Sequence, residues 1–349
     1  MANYTEAPED EYDVLIEGDL EDSDLEPRDR YNTELLSAQQ VLQLCFTVFV
    51  VGLLDNLLAV FILVKYKGLK HVGNIYFLNL AVSNFCFLLP LPFWAHSIFR
   101  GESLSNLMCK VLFGLHSAGL YSEALFNILL IMQGYQMLFH VRWLSPALGT
   151  VPGGTITSVL AWVMAILVTL PEFLFSKFQM ERQKDKCSFS RPHFLPVKET
   201  FWKCLLVLKT SILVLIFPLL VFIFCFVQMR NVRSFRERQG DLRKLAFVIT
   251  GVFLLMWGPY TIALFLSTLQ EHMSLQNKNI YSLDTSVQVT QIIATIHCCV
   301  NPLLYLLLDR DFRKYLCSLF SWCKDIRSQP GFYSVGYTSR EGCDCSTKL

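Results

Sequence analysis

Seven apolar runs of membrane-spanning length, at 41–65, 74–98, 107–138, 154–176, 200–229, 244–269 and 286–308, constrain this chain more than any other feature. At a rise of ~1.5 Å per residue, a helix over each run reaches across a ~30 Å hydrocarbon core. Backbone in hydrocarbon must satisfy its own hydrogen bonds, so the expected class is an all-α membrane protein, a seven-transmembrane helix bundle. Composition agrees, since 53% hydrophobic and 17% charged residues are too apolar a mixture for a soluble domain. The expected organisation is an acidic tail over 1–40, the bundle over 41–308, a short amphipathic eighth helix over 309–323 and a second tail over 324–349.

An odd number of spans puts the two ends of the chain on opposite sides, and Lys and Arg decide which side is which. The side holding Lys65, Lys67, Lys70, Arg142, Arg230 to Lys244 and the final tail carries seventeen basic residues, and the other carries ten. The N-terminus is therefore expected outside and the C-terminus in the cytoplasm of a multi-pass plasma-membrane protein. Residues 1–40 hold thirteen Asp or Glu against Arg28 and Arg30, a net charge near −11. Such a segment has no apolar core, so neither a cleaved leader nor a folded domain is expected there, and its natural partner is a basic surface. Asn3-Tyr4-Thr5 is an N-glycosylation sequon or an unused chance match. Tyr12, flanked by Glu9, Asp10, Glu11 and Asp13, reads as a sulfation site or as a merely solvated tyrosine.

The twelve cysteines follow no metal-binding spacing, and most lie within apolar runs where a thiol behaves as a small hydrophobe. Cys109 and Cys187 stand apart at the membrane edge, on the side expected to be oxidising, and a disulfide between them is expected. Pro92, Pro171, Pro218, Pro259 and Pro302 each remove a hydrogen bond from an apolar span, so kinks are expected there. Beyond Pro302, Phe312, Leu316, Leu319 and Phe320 form one apolar face beside Arg310, Arg313 and Lys314, the pattern of a helix lying on membrane lipid. Cys317 and Cys323 are palmitoylation candidates or plain thiols.

Several stretches have a specific resemblance. They are Asp55-Asn56-Leu57-Leu58, Leu78-Asn79-Leu80-Ala81-Val82-Ser83-Asn84, Pro92-Phe93-Trp94-Ala95-His96, Trp162, Met256-Trp257-Gly258-Pro259-Tyr260 and His297-Cys298-Cys299-Val300-Asn301-Pro302-Leu303-Leu304-Tyr305. Together they resemble rhodopsin-like G-protein-coupled receptors of the chemokine-receptor group, and with the acidic opening they resemble an atypical member of it. That resemblance implies binding of the chemoattractant chemerin, a basic protein, and of some chemokines, without ordinary G-protein coupling. It also implies ligand contact through Tyr12 of the tail and a ligand pocket drawn from Trp94, Tyr121, Trp257, Tyr260 and Gln291. Plain packing is the competing reading for each aromatic residue.

Three departures from the family pattern carry further expectations. Where the family closes span three with Asp-Arg-Tyr, this chain has Gln133, Gly134 and Tyr135, so the arginine that meets span six and the G protein is missing. Where the family has a sodium-binding aspartate in span two, this chain has Asn84, while Glu123 places a carboxylate in span three beside Asn301. Either an ion site is rebuilt around Glu123, or a protonated Glu123 is hydrogen-bonded to Asn84. Gln291 stands where many chemokine receptors carry a span-seven glutamate, which removes a charge for a ligand ammonium.

The functional expectation is a non-enzymatic surface receptor that captures chemerin and concentrates or presents it to neighbouring signalling receptors. The alternatives are a scavenger and a heteromeric modulator of another chemokine or chemerin receptor. No catalytic constellation, cofactor, metal or nucleic-acid partner is expected, and no repeated halves of the kind transporters show are present in the sequence.

Overall fold

A computed structural model describes residues 37–100, 104–139, 149–181, 184–189, 198–230, 240–273 and 280–319. The elements in chain order are α1 (Ala38–Ile62), α2 (Val72–Leu88), α3 (Leu91–Arg100), α4 (Asn106–Phe139), α5 (Val151–Phe175), the strands β1 (Ser176–Glu181) and β2 (Lys184–Phe189), α6 (Glu199–Ser211), α7 (Phe217–Arg230), α8 (Gly240–Met273), α9 (Ile280–Leu308) and α10 (Arg310–Leu319). Seven helical stretches among the described residues are long and apolar enough to cross a membrane. Three of them are composite. Span one is α1 continued by a wide turn at Leu63–Lys67, span two is α2 followed by α3, and span five is α6 and α7 joined by a wide turn at Ile212–Ile216.

The proline positions explain these interruptions. Pro92 falls in the first turn of α3, where a missing N–H has no partner to lose, and the chain breaks one step earlier, at Leu89 and Pro90. Pro218 likewise falls in the first turn of α7. The carbonyl it would have served lies in the wide turn, which closes through Phe217 N–H to the carbonyl of Ile212. Pro171, Pro259 and Pro302 sit inside continuous helices.

Burial is inverted relative to a soluble bundle. Leu54, Leu160, Leu220, Leu255 and Leu307 point outward, while Asn56, Asn84, Glu123, Asn127, Thr250 and His297 are buried. Serine and threonine hydroxyls in the spans return to carbonyls one turn back, as at Thr157, Ser158, Thr169 and Thr250. The interior holds two apolar clusters, one around Phe87, Tyr121, Phe253 and Trp257, the other around Tyr76, Phe77, Phe126, Ile249 and Tyr305. Between spans two and four, Trp162 Nε1 donates to Asn79 Oδ1 at 2.9 Å, and Tyr76 and Thr157 hydroxyls meet at 2.8 Å. Where α4 crosses α2, a Cβ on Gly119 would come within 2.7 Å of Phe87 N and 2.8 Å of Ser83 O. Only glycine permits that approach, which brings Ser122 Oγ to 2.8 Å from Ser83 Oγ.

A hairpin that no feature of composition announces follows span four. β1 pairs antiparallel with β2, with Phe178 opposite Cys187. The eighth helix ends at Leu319 within the described residues, starting one residue after Asp309, whose Oδ1 accepts the N–H groups of Asp311 and Phe312.

Candidate functional site

Glu123 and His297 form the centre of the bundle. Glu123 is 1% exposed; its Oε2 lies 2.6 Å from His297 Nε2 and its Oε1 accepts from Asn301 Nδ2 at 3.1 Å. His297 Nδ1 is 2.5 Å from the carbonyl of Ala294, which can only accept, so Nδ1 carries a proton. A carboxylate oxygen and a bare ring nitrogen would repel at 2.6 Å, so Glu123 and His297 share a second proton. Wherever that proton rests, the pair is neutral overall and ties α4 to α9.

The expected contact between Glu123 and Asn84 is not made. Asn84 Nδ2 donates instead to Asn56 Oδ1 at 2.9 Å, and Asn56 Nδ2 donates to the carbonyls of Gly52 and Cys298. The physical reason is reach and competition, because His297 and Asn301 already supply a donor to each oxygen of Glu123. An ion site rebuilt around Glu123 lacks the open carboxylate it needs. Exchanging sodium for choline at constant ionic strength should leave ligand affinity unchanged in equilibrium binding, and a sodium-specific change would mean that the Glu123 fork opens.

The proposed ligand residues separate into two groups. Trp94, Trp257 and Tyr260 belong to one ring network: Trp94 meets His116 at 4.9 Å, His116 meets Phe87 at 4.4 Å, Phe87 meets Trp257 at 5.6 Å and Trp257 meets Tyr260 at 5.8 Å. His297 joins its floor, 5.2 Å from Trp257 and 5.0 Å from Phe87, so the ring network rests on the Glu123 pair. Trp94 Nε1, Trp257 Nε1 and His116 Nδ1 are buried with no hydrogen-bond partner among the described residues. Tyr121 lies in a separate polar seam. Its hydroxyl donates to Glu172 Oε1 at 2.6 Å and meets Thr210 at 2.9 Å, while Lys209 Nζ reaches the same oxygen at 2.5 Å and lies 5.1 Å from the centre of the Tyr121 ring. Gln291 is exposed on α9 and joins neither group.

Sequence reasoning missed His116, Glu172 and Lys209. Glu172 and Lys209 had a signal, since each places a formal charge within an apolar span, where an ionisable group must find a partner. His116 had none, because a lone histidine on an apolar helix does not declare what it touches.

At the other end of α4, Gln133 and Gly134 are buried, and Gln133 Oε1 lies 3.3 Å from where a Cβ on Gly73 would sit. Tyr135 packs on Phe224 of α7 at 5.9 Å. Two turns back, Thr250 Oγ1 donates to Asn127 Oδ1 at 3.2 Å, a buried tie from α4 to α8. Cys109, fully buried, is one half of a disulfide. Cys187 belongs to β2, but its side chain, like that of Cys317, is outside what is described; Asn3, Tyr12 and Cys323 lie wholly outside the described residues.

Among the described residues, the seven candidate spans carry a polar centre at Glu123 and His297 with an aromatic network packed on it. Residues 55–305 match the family described as 7 transmembrane receptor (rhodopsin family). The chain belongs to that family and is a multi-pass plasma-membrane receptor, not an enzyme. It is similar to C-C chemokine receptor-like 2 of Mus musculus, with 62% identity over 347 residues covering 98% of this chain and 95% of the relative. It is also similar to C-C chemokine receptor-like 2 of Homo sapiens, with 58% identity over 350 residues covering all of both chains. C-C chemokine receptor type 1 of Homo sapiens is 39% identical over 318 residues, covering 89% of this chain and 87% of the relative. The chain is thus an atypical receptor of the chemokine type.

Proposed function

We propose that this chain is a capturing receptor: it binds chemerin, and some chemokines, and presents them to signalling receptors nearby without activating G proteins itself. The observation that carries this reading is the Gln133-Gly134-Tyr135 end of α4. Gly134 offers neither charge nor side-chain donor, and the buried Gln133 and the packed Tyr135 do not replace them. Capture is assigned to two features. The tail over 1–40, near −11, steers a basic protein, and Tyr12 and Asn3 are its modification sites. Trp94, Tyr121, Trp257, Tyr260 and Gln291 supply the grip, with the tail side outside the cell and a Cys109–Cys187 disulfide holding the β1–β2 hairpin over span three.

The test is surface binding of labelled chemerin to cells expressing the chain alone, at two salt concentrations, with G-protein activation recorded in parallel. Saturable binding whose on-rate falls as salt rises, with silent G proteins, is the expected result. At a Debye length of ~8 Å near physiological salt, long-range steering by the tail must weaken on further addition. Salt-independent association would remove the tail from the mechanism, and robust activation would remove the proposal.

A further inference from the structure

Three acidic residues lie well inside the spans, and two of them are answered from within the bundle. Glu123 has His297 and Asn301, and Glu172 has Tyr121 and Lys209. Asp55 is different. Among the described residues no Lys, Arg or His pairs with it, and its hydrogen-bond partner is the neighbouring Asn56. That partner is shared. Asn56 Nδ2 lies 3.0 Å from Asp55 Oδ1, 2.8 Å from the carbonyl of Gly52 and 3.0 Å from that of Cys298, so three acceptors compete for an amide's pair of hydrogens.

Asp55 stands where α1 turns from protein to lipid. Val48 and Gly52, on its inner side, face α9: Cys299 Sγ is 3.6 Å from the carbonyl of Val48 and 3.3 Å from where a Cβ on Gly52 would sit. On its outer side, Val50, Leu54, Leu57 and Phe61 recur at helical spacing as one exposed apolar ridge, and Asp55 itself is half-buried. Span one runs from Gln39 to Lys67, which puts Asp55 twelve residues from its nearer end. At ~1.5 Å per residue that is a depth of about 18 Å, well below the headgroups.

An ionisable side chain at that depth is costly unless a donor meets it, and for Asp55 the donor has to come from outside the chain. Depth decides which donor. An amphiphilic amine keeps its ammonium at the level of the headgroups, whereas a spanning helix can carry a basic side chain to mid-membrane. A second copy of this chain would set one carboxyl against another. Its Lys209 is held by Glu172 and by the carbonyl of Val168, and its His297 is buried. We propose that Asp55, with the ridge of Val50, Leu54, Leu57 and Phe61 beside it, is a docking point for the spanning helix of another membrane protein that bears a lysine or arginine at mid-depth. The ridge supplies packing, and the carboxyl fixes the depth and rotation of the partner. This docking is independent of chemerin capture and of silence towards G proteins.

The experiment puts the full chain, labelled with a fluorescent donor, into phosphatidylcholine vesicles with a synthetic leucine-alanine spanning helix that carries the acceptor. A helix with one central lysine should associate about tenfold more tightly than the same helix with leucine there, or with the lysine moved toward either end. Asp55→Asn, which can still accept from Asn56, should erase that difference. On the unaltered chain, dicyclohexylcarbodiimide, an apolar reagent for protonated carboxyls, should label Asp55 and neither Glu123 nor Glu172, and an excess of the lysine helix should protect it. Equal association of the lysine and leucine helices, a preference that survives Asp55→Asn, or an Asp55 that the carbodiimide does not reach would each overturn the docking point. Self-association of the chain that Asp55→Asn abolishes would seat a second copy on the ridge and overturn the basic partner.

Discussion

His297→Ala is expected to lower the stability of the bundle by about 3 kcal/mol or more, while Glu123→Gln should cost no more than about 1 kcal/mol. Alanine strands Glu123, 1% exposed, with one oxygen facing a void where His297 stood. The loss is that of a buried polar group without its partner, in a place water reaches poorly. Glutamine keeps the fork. Its carbonyl accepts from Asn301 as Oε1 does now, and its amide donates to the ring nitrogen of His297, whose other nitrogen already gives its proton to Ala294. Thermal unfolding in detergent, followed by a thiol-reactive dye reaching the buried Cys225, Cys298 and Cys299, reads both variants. Equal destabilisation by the two would mean that the shared proton rests on His297 and that attraction between the two ions holds the fork.

The same pair shows what hydropathy can and cannot disclose. All seven spans were legible because solvent imposes their length and apolarity on the sequence, and their ends agree with the helices to within a few residues. Breaks inside spans were harder. Pro92 drew attention, but helix geometry makes a first-turn proline harmless and leaves the interruption at Leu89 and Pro90. The β1–β2 hairpin was invisible because its strands, Ser176–Glu181 and Lys184–Phe189, are polar and are held through backbone pairing, to which composition is blind.

Within the site, legibility followed the cost of burial. A carboxylate in hydrocarbon had to be internal and partnered, so Glu123 was found, and Asn301 with it. Which partners it chose depended on the rotation of α4 against α9, and apolar faces on both sides of each span leave that rotation unwritten. Asn84 accordingly fell to Asn56 instead. The aromatic residues separated for a similar reason. Trp94, Trp257 and Tyr260 meet through His116 and Phe87, whereas the hydroxyl of Tyr121 is drawn to Glu172, the stronger acceptor on the facing helix.

Restoring arginine at the end of span three should not by itself restore signalling. Gly134→Arg supplies the missing charge, but α4 remains tied to α8 through Asn127 and Thr250, both fully buried, and flanked by Gln133 beside Gly73 and Tyr135 on Phe224. Any movement of α8 away from α4 must break the Asn127–Thr250 bond where water cannot replace it. Asn127→Leu with Thr250→Val removes both partners and leaves no orphan, so it biases the opening without leaving a buried polar atom behind. Added to Gly134→Arg, this pair should raise G-protein activation about tenfold over the single variant, the factor that ~1.4 kcal/mol sets in a two-state equilibrium. A cell-based G-protein dissociation assay at matched surface expression measures it. If Gly134→Arg alone gave the full response, the buried tie would carry none of the restraint, and the absent arginine would account for all of the silence proposed above.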